Sequence, residues 1–133
     1  MQNNHNELPE ALVLTCIDFR FQEKLKDALV KLKIKKYDLL ALAGGAKNLA
    51  NPTKVIYQKT VLDNIKLAAD LHKIKTVILT NHIDCGAYGG SGKHKSSREE
   101  IVFHKCELKK AEELIKKIFP NLKVKIELLT FDK

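Results

Sequence analysis

Four short runs rich in leucine and β-branched residues alternate with helical patterns along this chain, and that alternation constrains the fold more than any single residue. Residues 11–15, 37–43, 76–80 and 124–130 read as strands. Between the first two, Leu25, Ala28, Leu29 and Leu32 form one apolar stripe on a lysine-rich helix. A second helix is predicted after Asn51-Pro52, read as cap and first-turn proline, with Val61, Leu62, Ile65, Ala68 and Ala69 on its inner face. A third begins at Ser96 or Ser97, each with a glutamate three residues on, and its stripe is Ile101, His104, Leu108, Ala111, Ile115 and Ile118. The strand runs are continuously apolar, which suits a sheet buried on both faces. The expected class is α/β: three layers, with a mainly parallel four-stranded sheet and helices on both faces.

With 133 residues, 44% of them hydrophobic, a single domain spanning 1–133 is expected. No apolar run approaches the roughly 20 residues a membrane span requires, and residues 1–7 are too polar for a signal core. A soluble, cytoplasmic protein is therefore expected. Three widely spaced cysteines, at 16, 85 and 106, favour metal or thiol chemistry over a disulfide framework. The net charge of +8 raises the question of nucleic acid, but the lysines recur between apolar helix positions, with no interleaved aromatics to stack bases. They read as solvated faces, so no nucleic-acid partner is expected. Of 24 basic residues only Arg20 and Arg98 are arginines, so an arginine inside a motif calls for a reason.

Ligands of open α/β sheets gather beyond the carboxyl ends of the strands, which directs attention to residues 16–20, 44–48 and 81–92. The first holds Cys16-Ile17-Asp18-Phe19-Arg20 and the third His82-Ile83-Asp84-Cys85-Gly86. Thiolate and imidazole are the ligands zinc prefers, and Cys16, His82 and Cys85 make three. Cys106 lies two residues from both His104 and Leu108, about 200° around its helix from the core stripe, and should point away from the sheet. Three ligands without a fourth favour an open, water-bearing ion over a closed structural one. Taken singly, Cys16 reads better as a buried strand cysteine, Asp18 as a helix cap, His104 as a satisfied core histidine and His94 as an exposed loop residue, and only the joint pattern reverses that balance. Residues 44–48 offer backbone N–H groups to an anion but lack a dinucleotide or P-loop fingerprint.

Cys-x-Asp-x-Arg after one strand and His-x-x-Cys-Gly after another resemble the two signature motifs of β-class carbonic anhydrases. The resemblance implies zinc held by Cys16, His82 and Cys85, with Asp18 and Arg20 as a catalytic dyad. It implies reversible hydration of carbon dioxide to bicarbonate by zinc-bound hydroxide, Asp18 accepting a hydrogen bond from that hydroxide. Arg20 would hold Asp18 by a bidentate fork that lysine cannot supply. Hydrolysis of a related small molecule such as carbonyl sulfide, or a non-catalytic zinc-binding module, are the alternatives. The sequence departs from the usual family pattern at Ala41, Leu42, Ala43, Gly44 and Gly45, where arginine, asparagine, alanine, glycine and asparagine are customary. The family's N-terminal arm and C-terminal extension are expected to be missing, because strands begin near residue 11 and the chain stops after the fourth. A strand order of 2-1-3-4 would leave residues 37–43 at an edge with little protection, and a homodimer is expected there, burying Leu40 and Leu42.

Overall fold

The computed structural model describes residues 7–131, so the polar start of the chain lies, apart from Glu7, outside the described residues. Strands β1 (Ala11–Thr15), β2 (Tyr37–Ala41), β3 (Thr76–His82) and β4 (Lys123–Leu129) form one sheet in the order β2-β1-β3-β4. All three pairings are parallel. Every residue of β1 and β3 is buried, as continuous apolar runs covered on both faces should be.

Alternate residues of those strands feed two cores. Leu12, Leu14, Val77 and Leu79 pack against α3 (Val55–Leu71) and α4 (Ser97–Ile118) through Val61, Ile65, Leu108, Ala111 and Ile115. Ala11, Val13 and Ile78 point the other way, onto Leu25 and Leu29 of α1 (Gln22–Lys31). Each fully buried leucine or isoleucine contributes about 1.5–3 kcal/mol. The three-layer α/β class and the strand order are as expected.

Some boundaries differ from the sequence expectation. The second helix starts at Val55, not at Asn51-Pro52. Asn51 instead closes a short helix, α2 (Lys47–Ala50), and Lys47 Nζ spans the turn to Asn51 O and Thr53 Oγ1. Asn51, at φ −155° and ψ 64°, leaves the helical region that the following proline disfavours, and this separates the two helices. Ser96 caps α4 by accepting the Glu99 N–H, while Glu99 reaches back to Lys95 N–H. The α4 stripe ends early, with Ile118 44% exposed, and it contains buried Glu100, Glu107 and Glu112 that an apolar pattern does not show. No helix among the described residues is long and apolar enough to cross a membrane.

Candidate metal centre

Parallel register sets the carboxyl ends of β1 and β3 side by side, with Leu14 beside Leu79. Cys16 follows β1, His82 ends β3 and Cys85 sits in the next turn, so two neighbouring strand ends supply all three. Their ligand atoms lie within 4.8 Å of one another, and all three residues are buried. The turn after β2 closes over them. Gly45 is obligatory there, because a Cβ would stand 2.5 Å from the Thr80 carbonyl oxygen. Gly44, at φ +91°, aims its N–H at Cys16 Sγ, 3.3 Å away.

Hydrogen bonding decides what the trio can hold. His82 Nδ1 lies 2.6 Å from the Ile83 carbonyl and must donate to it, which leaves the Nε2 lone pair facing the sulfurs. That nitrogen is buried without a hydrogen-bond partner. Phe21 stacks on the ring at 4.3 Å and fixes its plane. The Cys85 thiol, donating to Cys16, holds the Cys16 thiol well below its ordinary range, with His82 and the Gly44 N–H acting the same way against burial. Cys85 is pushed up by Cys16 and by burial. Burial opposes charge on His82, but Cys16 and the Ile83 carbonyl outweigh it and raise its pKa. Two sulfurs sharing a proton beside an unpartnered lone pair fit a soft divalent cation such as zinc.

Asp18 and Arg20 stand at the rim. Asp18 caps the 3-10 turn Phe19–Phe21 by accepting Arg20 N–H at 2.9 Å, so its expected capping role is real. The same carboxylate takes Arg20 Nε at 3.1 and 3.2 Å and Nη2 at 2.7 Å. Its Oδ2 lies 3.7 Å from His82 Nε2. Arg20, through those bonds, holds Asp18 at about 2, so it stays ionised across the neutral range. The cap and the fork are compatible because the bound arginine is the residue whose N–H is capped.

Other expectations meet the structure differently. Cys106 is exposed and apart from the trio. Residues 44–48 offer no anion cradle, since their N–H groups go to Cys16 Sγ, Leu42 O, Thr80 O and Asn81 Oδ1, Gly44 O and Gly45 O. His104 is fully buried and only half satisfied: Nδ1 contacts Asn81 Nδ2 at 3.2 Å, and Nε2 has no partner. His94 is half-buried against Phe103, and its Nε2 is likewise unpartnered. With Glu100 they form a second set of ligand-type atoms within 4.8 Å of one another.

The sequence reading passed over three residues that shape this region. Asp84, at φ +56°, accepts Arg20 Nη1 at 3.0 Å. Glu100 accepts the Asp84 N–H at 2.6 Å and Ser91 Oγ at 2.8 Å. Asn81 takes the Ala46 N–H at 3.1 Å and gives its own N–H groups to Tyr88 Oη and His104. The one available signal was the i, i+4 spacing of Glu100 and His104 on a face that also carries Leu108 and Ala111.

An open parallel α/β sheet with a Cys, His and Cys trio at adjacent strand ends, and an arginine-held aspartate beside it, defines a class that comparison identifies. Residues 7–130 match the family model described as "Putative carbonic anhydrase", and the chain belongs to that family. It is 31% identical to an uncharacterized protein of Rickettsia conorii over 125 residues, 91% of this chain and 67% of that protein. An uncharacterized protein of Rickettsia bellii is 32% identical, over 91% of this chain and 76% of its own length. Among solved structures, a carbonic anhydrase from Glaciozyma antarctica superposes with a TM-score of 0.60 at 14% identity, covering 96% of this chain and 83% of that one. One of the tetrameric β-carbonic anhydrases of Sordaria macrospora gives 0.62 at 15% identity, covering 93% and 77%. An apo carbon disulfide hydrolase gives 0.52 at 17% identity, covering 92% and 73%. These likenesses establish a β-carbonic anhydrase fold.

Proposed function

We propose that this chain, as one domain over residues 1–133, is a zinc-dependent lyase that reversibly hydrates carbon dioxide to bicarbonate. Cys16, His82 and Cys85 are the metal ligands, and Asp18 and Arg20 the catalytic pair. The observation that carries this reading is the free His82 Nε2, facing two sulfurs on one side and an ionised, arginine-held Asp18 oxygen at 3.7 Å on the other. A zinc ion held by Cys16, His82 and Cys85 would supply Lewis acidity that acidifies a water molecule, less strongly than a site with neutral ligands because the sulfurs offset its charge. Asp18 Oδ2 would accept a hydrogen bond from a water molecule there and orient it, while the Arg20 fork keeps the carboxylate from turning. The Cys85 thiol, His82 and the Gly44 N–H favour Cys16 as thiolate against the cost of its burial.

Stopped-flow measurement of carbon dioxide hydration tests this. Zinc-loaded protein should turn over, and chelated protein should not; a zinc-loaded protein without turnover would reduce the chain to a non-catalytic zinc module. A second reading, hydrolysis of a sulfur analogue such as carbonyl sulfide, draws support from the fold likeness to carbon disulfide hydrolase. Hydrogen sulfide release from carbonyl sulfide, exceeding carbon dioxide turnover, would favour it.

We further propose a homodimer across the β2 edge, in a reducing compartment such as the cytoplasm that keeps the three thiols free. Leu40 and Leu42 pack on the core but are only partly buried, so an interface there would complete their burial. Leu39, 53% exposed at the edge, shares an apolar surface with exposed Leu67 and Leu71. Sedimentation of the parent beside Leu39→Lys should show a dimer only in the parent.

A further inference from the structure

Arg20 is gripped from two sides. Its Nε and Nη2 bind the Asp18 carboxylate, while Nη1 donates to Asp84 Oδ2 and Nη2 also donates to the Asp84 carbonyl, each at 3.0 Å. Asp18 alone would leave the guanidinium free to swing with the carboxylate it holds. The second anchor fixes its plane.

That anchor is itself built in. Asp84 Oδ1 accepts the Ser91 N–H at 2.8 Å, and the Asp84 N–H goes to Glu100 Oε2 at 2.6 Å. Glu100 also accepts Ser91 Oγ at 2.8 Å, and it is only 4% exposed on α4, the helix that backs the sheet. The turn requires a left-handed residue at 84 and little bulk at Gly90, where a Cβ would sit 3.2 Å from Asp84 Oδ1. A continuous set of hydrogen bonds thus runs from α4 through Glu100, Asp84 and Arg20 to Asp18. The Arg20–Asp84 pair is too exposed, at 35% and 40%, to contribute much stability. What it supplies is direction.

We propose that Asp84 is a positioning residue that holds Arg20 from the side opposite Asp18, with Glu100 fixing Asp84 in turn. This rests on the hydration reading of the site, and the test separates the two. Asp84→Asn is the informative variant, because asparagine tolerates the left-handed conformation and still accepts the Ser91 N–H, yet it turns an NH2 group or an uncharged oxygen toward Nη1. It should keep its zinc, and kcat for carbon dioxide should fall about tenfold while KM shifts less than about twofold. The chain has only Arg20 and Arg98, so Arg20 side-chain NMR signals are readily assigned. In the parent, rotation about the Arg20 Cζ–Nη bonds should be slowed. In Asp84→Asn the Nη1 signals should merge while Nε–H and Nη2 stay in place on Asp18 and the residue 84 carbonyl. Should Asp84→Asn not fold, Glu100→Gln should move the same signals and lower kcat about threefold. Unchanged Nη signals, or a kcat equal to or above the parent's, would overturn the proposal; a rise would mean that Asp84 competes with Asp18 for Arg20. If zinc-loaded parent shows no hydration, the hydration reading fails and the NMR signals alone decide the positioning.

Discussion

Two clusters among the described residues each bring ligand-type atoms within 4.8 Å of one another, yet their hydrogen bonds make them opposites. Cys16, His82 and Cys85 form one, and His94, Glu100 and His104 the other. Each contains a buried histidine whose Nε2 has no partner. The difference lies at the far nitrogen. His82 Nδ1 meets a carbonyl, so the hydrogen sits on Nδ1 and Nε2 presents a lone pair. His104 Nδ1 meets the Asn81 amide, whose oxygen is committed to the Ala46 N–H, so an N–H group faces the imidazole. His104 Nδ1 therefore accepts, and its Nε2 carries the hydrogen. A metal needs the lone pair, so of two geometrically eligible clusters one is poised for a cation and the other is set against it.

Metal stoichiometry should break the comparison if it is wrong. Purified parent should hold about one zinc per chain, and Cys16→Ser or His82→Ala should hold almost none. His94→Ala and His104→Asn should keep the full complement. Elemental analysis after dialysis against a weak chelator measures this. Loss of zinc in the His104 variant would show that the second cluster is the metal site.

Turnover should divide the clusters in the same way. Asp18→Asn should lower hydration by about a hundredfold with zinc retained, because the group that orients the nucleophile is gone. His94→Ala should stay within about twofold of the parent in well-buffered solution. Equal losses in the two variants would place the second cluster in the reaction.

The two buried histidines also differ toward acid. Burial depresses His104 to about 4 from 6.5, whereas the contact of His82 with Cys16 raises it. A lowered histidine gives stability that is fully present above 6.5 and is lost as pH falls toward 4, because the unfolded chain takes up the proton first. For His104 that loss reaches up to about 3 kcal/mol. In His104→Asn, which sets a carbonyl oxygen where Nδ1 stood, the difference in stability from the parent should shrink by that amount between pH 7 and pH 4. Denaturant melts at the two pH values measure it, and a constant difference would mean that His104 takes up its proton in the native state as readily as in the unfolded chain.

Much of this was legible in the sequence, and the omissions have one cause. Continuous apolar runs specified β1 and β3, and the motifs after them named the five residues that the structure gathers at the strand ends. Burial of Glu100 and the orientation of Asn81 were not legible, because they depend on which hydrogen-bond partner arrives from another element. A glutamate three residues after Ser97 reads as a capping residue, and only the fold shows it reaching Asp84 and Ser91 instead. The start of α3 is hidden for a local reason: Asn51-Pro52 looks like the beginning of one helix, and Asn51 closes another.

If the proton on His104 is what excludes a cation, reversing one donor should admit one. Asn81→Asp leaves an oxygen for the Ala46 N–H and sets a second oxygen against His104 Nδ1, where an N–H group had been. The hydrogen then moves to Nδ1, as in a carboxylate–histidine–metal arrangement, and Nε2 presents its lone pair beside Glu100 and His94. Tyr88 Oη must also readjust, since it loses the Asn81 donor and keeps Glu107 as acceptor. That rearrangement and the buried charge should keep the new site weak, so the effect is the smallest of the set. Calorimetric titration of zinc into zinc-loaded Asn81→Asp should detect about one additional ion per chain at micromolar to millimolar concentration, absent from the parent and abolished by adding His94→Ala. A variant that folds, keeps its first zinc and takes up no second would mean that the spacing of the cluster, and not the tautomer of His104, is what distinguishes the two sites.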